Sequence, residues 1–270
     1  MSYHFQKILF LVFLPLISLG QKWEIGVQFG PSNYQGDLAQ DISLKETHLS
    51  GGIFLKRNSG QFFSNCFSLM EGEISGNDNN FTSQKIRNLS FQTYITELSY
   101  QLEFNFFPFS FGLKHENFTP YVFTGLSLFY FDPHANYKGQ SIELNKLDTE
   151  GKMAGNEAKN NYSLYQLAIP IGGGLKFLIS DKVIIGINVG FRSANTDYLD
   201  DVSTSYYDKT ILTEKNGKLS AELADRSGEV GTQSIGYMGK QRGRSDLKDW
   251  YIFSGIFISY KIRDALCYHF

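Results

Sequence analysis

Residues 183–192 read Val-Ile-Ile-Gly-Ile-Asn-Val-Gly-Phe-Arg, and this stretch decides the fold. Every second side chain is apolar, and those between them are mostly glycine or polar. A period of two residues is typical of a β-strand with one apolar face, since successive side chains of a strand point to opposite sides. The apolar set is Val183, Ile185, Ile187, Val189 and Phe191, and it opposes Gly186, Asn188, Gly190 and Arg192.

Seven further segments carry the same kind of pattern. The alternation is clean in 23–30, 92–106 and 165–179 and less regular in 47–56, 61–75 and 118–131, and a last strand is predicted from Trp250 to Ile262. The sequence therefore predicts eight strands.

The connections between these strands alternate strictly in length. The long ones are 34–46, 76–88, 132–162 and 197–248, and the short ones are 57–60, 107–117 and 179–182. Membrane barrels have an even number of antiparallel strands, brief periplasmic turns and long outer loops. The chain is therefore predicted to be an all-β protein that forms an eight-stranded antiparallel transmembrane β-barrel.

Charged residues lie opposite the apolar faces and belong to both signs. Lipid exposure of a lysine or arginine at the bilayer midplane costs about 2–4 kcal/mol, so the inward side is favoured for them. Eight strands leave an interior just filled by side chains, where opposite charges can pair. The predicted polar network of the lumen consists of Glu24, Glu97, Glu103, Lys176, Arg192 and Lys261. The alternative is a soluble antiparallel sheet with one wet face.

Composition excludes several classes of protein. The 270 residues carry a formal charge of -2, so no basic field for nucleic acid exists. Aromatic residues make up 16% of the chain, which suits a barrel with aromatic belts at the membrane interfaces. Such belts are expected from Trp23 and Phe29, Phe104 with Phe106 and Phe107, Phe129 with Tyr130, and Trp250 with Tyr251.

The first twenty residues have the features of a secretory signal peptide. Lys7 precedes an apolar run from Ile8 to Ile17, and Ser18-Leu-Gly20 offers small residues at the cleavage positions. A membrane anchor is the weaker alternative because the run is short and contains Pro15. We expect cleavage after Gly20, a barrel domain over residues 21–270, and location in the bacterial outer membrane.

Five segments, taken in their order along the chain, are informative together. They are Gly30-Pro-Ser-Asn-Tyr-Gln-Gly-Asp-Leu38, Pro120-Tyr-Val-Phe-Thr-Gly125, Gly172-Gly-Gly-Leu-Lys-Phe177, Thr196-Asp-Tyr-Leu-Asp-Asp-Val-Ser203 and Asp249-Trp-Tyr251. In this order they resemble the PorG-type barrel of the type IX secretion system, the export and gliding motility machinery of Bacteroidota. The resemblance implies an OmpA-like barrel without catalytic activity. It also implies periplasmic partners, a ring made of a lipoprotein and its soluble partner, but no particular contact residues.

Other candidate sites are weaker. Only His48 and His134 are placed where a lipid-modifying enzyme would need a base, and neither has a patterned serine or aspartate beside it. Asp197, Asp200 and Asp201 match no calcium loop and are interpreted as turn-forming residues. Asn216-Gly217 is interpreted as a hairpin tip. The sequence predicts no catalytic residue, no cofactor and no metal.

Two cysteines, Cys66 and Cys267, are both expected near the periplasmic end. The sequence leaves a disulfide between them open, because pairing requires Cα atoms within roughly 7 Å.

The leading hypothesis is a structural outer-membrane component of the type IX export apparatus. It assigns partner contacts to 57–60, 107–117, 179–182 and the tail 263–270. The alternatives are a small channel or carrier of apolar solutes and a surface adhesin that acts through loops 132–162 and 197–248.

Overall fold

A computed structural model describes residues 22–82, 84–109, 116–152, 162–231 and 233–262. The signal peptide and its cleavage site, His115, Cys267 and the C-terminal tail expected to contact partners lie outside these residues. No helix among the described residues is long and apolar enough to cross a membrane.

Eight long strands form one closed antiparallel barrel. Each is between 12 and 16 residues long, which exceeds the roughly 9–11 residues that a tilted strand needs to span a bilayer. They are β1 (Lys22–Gln35), β2 (His48–Ser59), β3 (Phe63–Asn77), β4 (Ser90–Asn105), β5 (Phe118–Tyr130), β8 (Tyr165–Ser180), β9 (Val183–Ala194) and β10 (Trp250–Ile262).

Each of these eight strands pairs with the long strand before it and the long strand after it in the chain. The first and last, β1 and β10, pair with each other and close the sheet. The seam runs from Trp23 opposite Ile262 to Gln35 opposite Trp250. The prediction of a closed eight-stranded antiparallel barrel is confirmed, with strand ends within a few residues of those expected.

The outward face of the barrel is apolar on every strand. Exposed side chains include Ile25 and Val27 on β1, Leu98 on β4 and Ile187 on β9, each between 47% and 58% accessible. A continuous apolar exterior of this kind is suited to hydrocarbon, whereas a water-soluble protein rarely exposes so large a patch. The soluble alternative, with its wet face outward, is therefore wrong.

The two ends of the barrel differ, as predicted. Short connections at what we call the inner end join β2 to β3 through 60–62 and β8 to β9 through 181–182. Long connections at the outer end carry their own structure. One contains a hairpin of β6 (His134–Tyr137) and β7 (Gln140–Glu143), whose tip residues Lys138 and Gly139 both have positive φ, as a type I′ turn requires.

The longest outer connection contains two helices, α1 (Lys209–Asn216) and α2 (Lys218–Ala224). The interpretation of Asn216-Gly217 as a hairpin tip is therefore wrong. The Asp208 side chain caps α1 by accepting hydrogen bonds from the amides of Thr210 and Ile211, and Gly217, at φ 89°, separates the two helices. A short glycine link between helices gives the same sequence signal as a β-turn.

Two of the expected belt residues lie inside the protein. Phe129 and Tyr251 are almost fully buried and contact each other with ring centroids 5.1 Å apart. Their strand positions have inward parity, so they fill the outer half of the lumen. Phe29, Phe106 and Phe107 are exposed, as an interface belt requires.

Candidate functional site

The inner half of the lumen is built around one carboxylate held between two ammonium groups. Glu103 on β4 lies 3.0 Å from Nζ of Lys56 and 2.6 Å from Nζ of Lys176. Lys176 also donates to Oδ1 of Asn105 at 2.9 Å. All three charged side chains are buried, so the ion pairs are shielded from water and from salt.

Aromatic rings surround these charges. Nζ of Lys56 lies 5.1 Å from the centre of the Phe54 ring and 5.3 Å from that of Phe257, and Nζ of Lys176 lies 4.2 Å from that of Tyr121. Ring faces attract cations, so the aromatic packing both fills the lumen and compensates the second ammonium group.

A second buried ion pair lies in the outer half of the lumen. Nε of Arg192 is 3.2 Å from Oε2 of Glu97, and the hydroxyl of Tyr251 donates to the same oxygen at 2.7 Å. The Arg192 guanidinium also donates to the carbonyl oxygen of Gly190 at 2.6 Å. These contacts satisfy both charged groups without water.

Of the six residues assigned to the lumen from sequence, five are buried inside the barrel, and four of these form the two ion-pair groups. Glu24 instead accepts hydrogen bonds from Ser259 and Asn58. Lys261 faces Glu24 in the β1–β10 register but is only half-buried at the inner edge. Lys56 was missed. In β2 the apolar Ile53 and Leu55 point outward, so Lys56, the next residue in the alternation, points into the barrel, and this parity could have identified it.

Cys66 is buried in the lumen next to these groups, in a cluster with Phe54, Tyr121 and Phe257. Cys66 lies near the start of β3, close to the inner end, as predicted, and its side chain points into the barrel. Because Cys267 lies outside the described residues, the disulfide remains untested.

Little free space remains around these side chains. The cavity between Lys56, Glu103, Gln101 and Arg192 has a volume of about 30 Å³, roughly enough for one or two water molecules. A solute larger than water does not fit between the ion pairs.

At the outer end, three chain segments meet in what we call the mouth cluster, formed by Tyr34, Asp200 and Asp249. The Tyr34 hydroxyl donates to Oδ2 of Asp200 at 2.7 Å and lies 2.9 Å from Oδ1 of Asp249. The other oxygen of each carboxylate accepts a backbone amide, that of Val202 for Asp200 and that of Leu199 for Asp249. A Cβ at Gly36 would lie 2.1 Å from both the Tyr34 hydroxyl and Asp249, so this position requires glycine.

Burial and neighbouring negative charge raise the pKa values of Asp200 and Asp249 well above the ordinary carboxyl value. For Asp249 the main cause after burial is Asp200, and for Asp200 it is Asp37. The cluster therefore holds a proton more tightly than isolated carboxylates do.

Two buried arginines join the outer loops above the mouth cluster. Arg242 pairs with Glu150 at 3.1 Å and donates to the carbonyl oxygen of Asp201 at 2.6 Å. Arg87 pairs with Asp78 at 2.7 Å and donates to the carbonyl oxygens of Arg242 and Asp37. The long loops are thus one connected cap, and the charge of Arg242 helps to keep the pKa of Glu150 below its usual value despite burial.

Two of the three aspartates weighed as calcium ligands, Asp200 and Asp201, use their oxygens for protein donors. Asp200 accepts the amide two residues ahead, as turn-forming aspartates do. Asp201 accepts hydrogen bonds from Thr149 at 2.6 Å and Tyr162 at 2.8 Å, while Asp197 is buried, with its pKa raised to about 7 by burial. The interpretation of Asp200 as a turn residue is confirmed.

His48 has a serine and a glutamate beside it, which the sequence pattern did not indicate. Its Nε2 lies 2.7 Å from Oγ of Ser75, and its Nδ1 lies 3.2 Å from Oε1 of Glu73. The Ser75 hydroxyl, however, also contacts the Glu46 carboxylate, which can only accept a hydrogen bond. Ser75 therefore donates to Glu46 and not to His48, so the histidine does not activate this serine as a nucleophile, and the group ties the first outer loop to β3.

Comparison with known proteins gives one family. A model of the family described as a domain of unknown function, DUF6089, matches residues 3–222. No curated protein matches the chain.

Among solved structures, the chain is similar to Neisserial surface protein A, with 8% identity and a TM-score of 0.44, and to Ail, the attachment invasion locus protein of Yersinia pestis, with 9% and 0.42. It is also similar to outer membrane protein W of E. coli, with 10% and 0.35. Each match covers 90% of this chain and 100% of the other.

Proposed function

The chain belongs to the DUF6089 family, and we propose that it is a non-enzymatic outer-membrane barrel that anchors the type IX protein-export machinery through its inner, periplasmic end. The partners in this proposal are the lipoprotein of the periplasmic ring and its soluble companion. The proposal places the long loops outside the cell and the short turns in the periplasm, which is the usual arrangement in outer-membrane barrels.

The observation that carries the structural role is the filled lumen. Glu103 between Lys56 and Lys176, and Glu97 with Arg192, occupy both halves of the barrel interior. A protein with so little internal space acts through its surfaces rather than by passing a solute. This favours an anchor over the channel or carrier considered from the sequence.

The assignment to type IX export is supported by the segments in which the sequence resembles PorG-type barrels. Three of these five segments, 30–38, 196–203 and 249–251, supply Tyr34, Asp200 and Asp249 of the mouth cluster. Residues that lie far apart in the chain thus form one structural unit. Three segments that meet in one cluster of this chain support the resemblance better than scattered similarities would.

The inner end offers two exposed turns for partner contact. Residues 60–62 between β2 and β3 and residues 180–182 between β8 and β9 are exposed. Arg57, which the sequence assigned to the contact set, is instead buried, with its guanidinium 5.7 Å from the centre of the Trp23 ring. We therefore centre the proposed contact on 60–62 and 180–182.

Site-specific crosslinking in intact cells tests the proposal. A photoreactive amino acid is placed at Gln61 or Lys182 at the inner end, and at Lys138 on the outer hairpin as the matched control. We expect crosslinks to a ring component from the two inner positions and none from Lys138. Mild detergent extraction followed by co-purification should recover the same component.

Two results would contradict the anchor role. One is a correctly folded barrel, verified by its heat-dependent gel mobility, that yields no ring component from either inner position. The other is a cell that exports normally without the protein but loses attachment when the outer loops are deleted, which would favour an adhesin.

A further inference from the structure

Three potential metal ligands lie together on the outer side of the barrel. Asp132, His134 and Glu143 each contribute one ligand atom, and these atoms all lie within 4.8 Å of one another. Two of the three, Asp132 and His134, line a crevice of about 550 Å³ that also exposes Tyr94, Tyr130 and Ser141. It is separate from the lumen and from the mouth cluster.

Strand pairing fixes the backbone at His134 and Glu143, and a hydrogen bond to a neighbouring strand fixes it at Asp132. The amide of Asp132 donates to Oγ1 of Thr93 on β4 at 2.9 Å, and His134 pairs with Gln92 of the same strand. His134 and Glu143 face each other across the β6–β7 hairpin. A site carried by paired strands holds its ligands in place more firmly than one on a free loop.

The contacts of His134 define which ring nitrogen faces the group. Its Nδ1 lies 2.7 Å from the carbonyl oxygen of Asp132, which can only accept, so Nδ1 carries the hydrogen. In the neutral ring, Nε2 then presents a lone pair, and it lies 3.9 Å from Oδ2 of Asp132. Two acceptors that face each other at this distance leave room for a cation, and an Nδ1–H bond to a carbonyl is a common support of metal-bound histidine.

Charge also favours a cation at this place. Asp132 and Glu143 contribute two negative charges, and the ammonium of Lys146 contacts Glu143 and offsets one of them. Lys146 is 76% exposed and can turn away into water. A divalent ion would therefore compete with a mobile lysine for Glu143.

We propose that Asp132, His134 and Glu143 bind a zinc ion and fasten the β6–β7 hairpin to the barrel wall. One imidazole nitrogen and two carboxylates form a donor set that suits zinc better than calcium or magnesium, which prefer oxygen ligands alone. Zinc ligands lie about 2.0–2.2 Å from the ion, so these three side chains, which are between 27% and 37% exposed, need only small rotations to reach it. Three protein ligands leave a fourth position open toward the crevice.

The sequence alone gave no sign of this site. Asp132 and His134 are close in sequence, but Glu143 joins them only through the register of a hairpin that was not predicted. The proposal is independent of the partner at the inner end.

Zinc titration of the refolded full-length chain in detergent, after removal of metal by a chelator, tests the site. Calorimetry should give one zinc per chain that depends on His134, and His134→Ala should weaken its binding by at least about tenfold, as expected for the loss of a ligand. His48→Ala is the matched control, because this histidine also lies at the outer end but contacts Ser75 and Glu73. It should bind zinc as the wild type does.

Two further variants keep the test decisive if His134→Ala fails to fold. Glu143→Gln should weaken binding as well, whereas Lys146→Met should strengthen it, because the competing ammonium is gone. Cobalt substituted for zinc should give the visible spectrum of a four-coordinate ion. No zinc uptake, or uptake that His134→Ala and Glu143→Gln leave unchanged, would overturn the proposal.

Discussion

Tyr34 and Asp249 are 215 positions apart in the chain, yet the Tyr34 hydroxyl oxygen lies 2.9 Å from Oδ1 of Asp249 and 2.7 Å from Oδ2 of Asp200. The hydroxyl has one proton and can donate it to only one carboxylate. The second contact is a hydrogen bond only if one of the two aspartates is itself protonated. The raised pKa values of Asp200 and Asp249 are consistent with one proton shared in this cluster.

Removal of the central hydroxyl should destabilise the outer end. Tyr34→Phe leaves two buried carboxyl groups without their common partner, and we expect a loss of about 1–3 kcal/mol in the free energy of unfolding. Urea unfolding of the barrel in lipid vesicles measures it. Tyr260→Phe, at an exposed position on β10, is the control and should change stability little. Equal stability of the two variants would show that the Tyr34 hydroxyl does not stabilise the mouth cluster.

The stability of the outer cap should depend on pH through Asp197. Burial raises the pKa of Asp197 from its ordinary value to about 7, so the folded protein holds a proton that the unfolded chain releases near pH 4. The protonated Asp197 contributes its full share to the free energy of unfolding below about pH 4, and this share is lost as the pH rises through about 7. Oδ2 of Asp197 has no hydrogen-bond partner among the described residues, so a neutral amide fits there.

Asp197→Asn should therefore be stabilised relative to the wild type, and more at high than at low pH. Between about pH 5 and about pH 8 we expect the difference to grow by about 2 kcal/mol, less than the full shift would give because the crevice beside it admits water. Urea unfolding at several pH values measures this difference. A difference that does not change with pH would contradict the assignment.

Glu103 should contribute more to stability than either of its lysine partners. Glu103→Gln leaves two buried ammonium groups without a carboxylate and should cost about 3–5 kcal/mol. Lys176→Met leaves Glu103 paired with Lys56 at 3.0 Å, so a smaller loss is expected. The same unfolding assay ranks the two variants, and the reverse order would show that the lumen is not organised around Glu103.

The filled lumen predicts that the protein does not conduct ions. With a cavity of only about 30 Å³ between the ion pairs, the purified protein in a planar bilayer should show no steady single-channel current. A porin measured in the same membrane is the positive control. Steady currents of uniform size would restore the channel hypothesis.

The barrel itself could be predicted from sequence because lipid imposes one simple rule on every strand. In 183–192 and 92–106 each second residue must be apolar, so the strands and their orientation are visible one at a time. The inward position of Glu103 and Lys176 followed from the same parity. Which charges pair, and the place of Lys56 between them, depend on barrel register, which no single strand contains.

The mouth cluster could not be predicted because its members come from three separated segments. Tyr34 ends a strand, Asp200 lies in a loop and Asp249 precedes the last strand, so no local period connects them. The helices α1 and α2 were missed for another reason. They are only eight and seven residues long, and Asn216-Gly217 between them is a common turn signal.

The closing seam between β1 and β10 has a consequence for biogenesis. A chain that ends before residue 249 lacks both the last strand and Asp249, so β1 and β9 keep free edges whose amide and carbonyl groups have no partner in hydrocarbon. Such a product cannot be inserted stably and remains open to periplasmic proteases. The mouth cluster needs Tyr34 from the first strand and Asp249 from just before the last strand. It is therefore completed only in molecules whose barrel has closed.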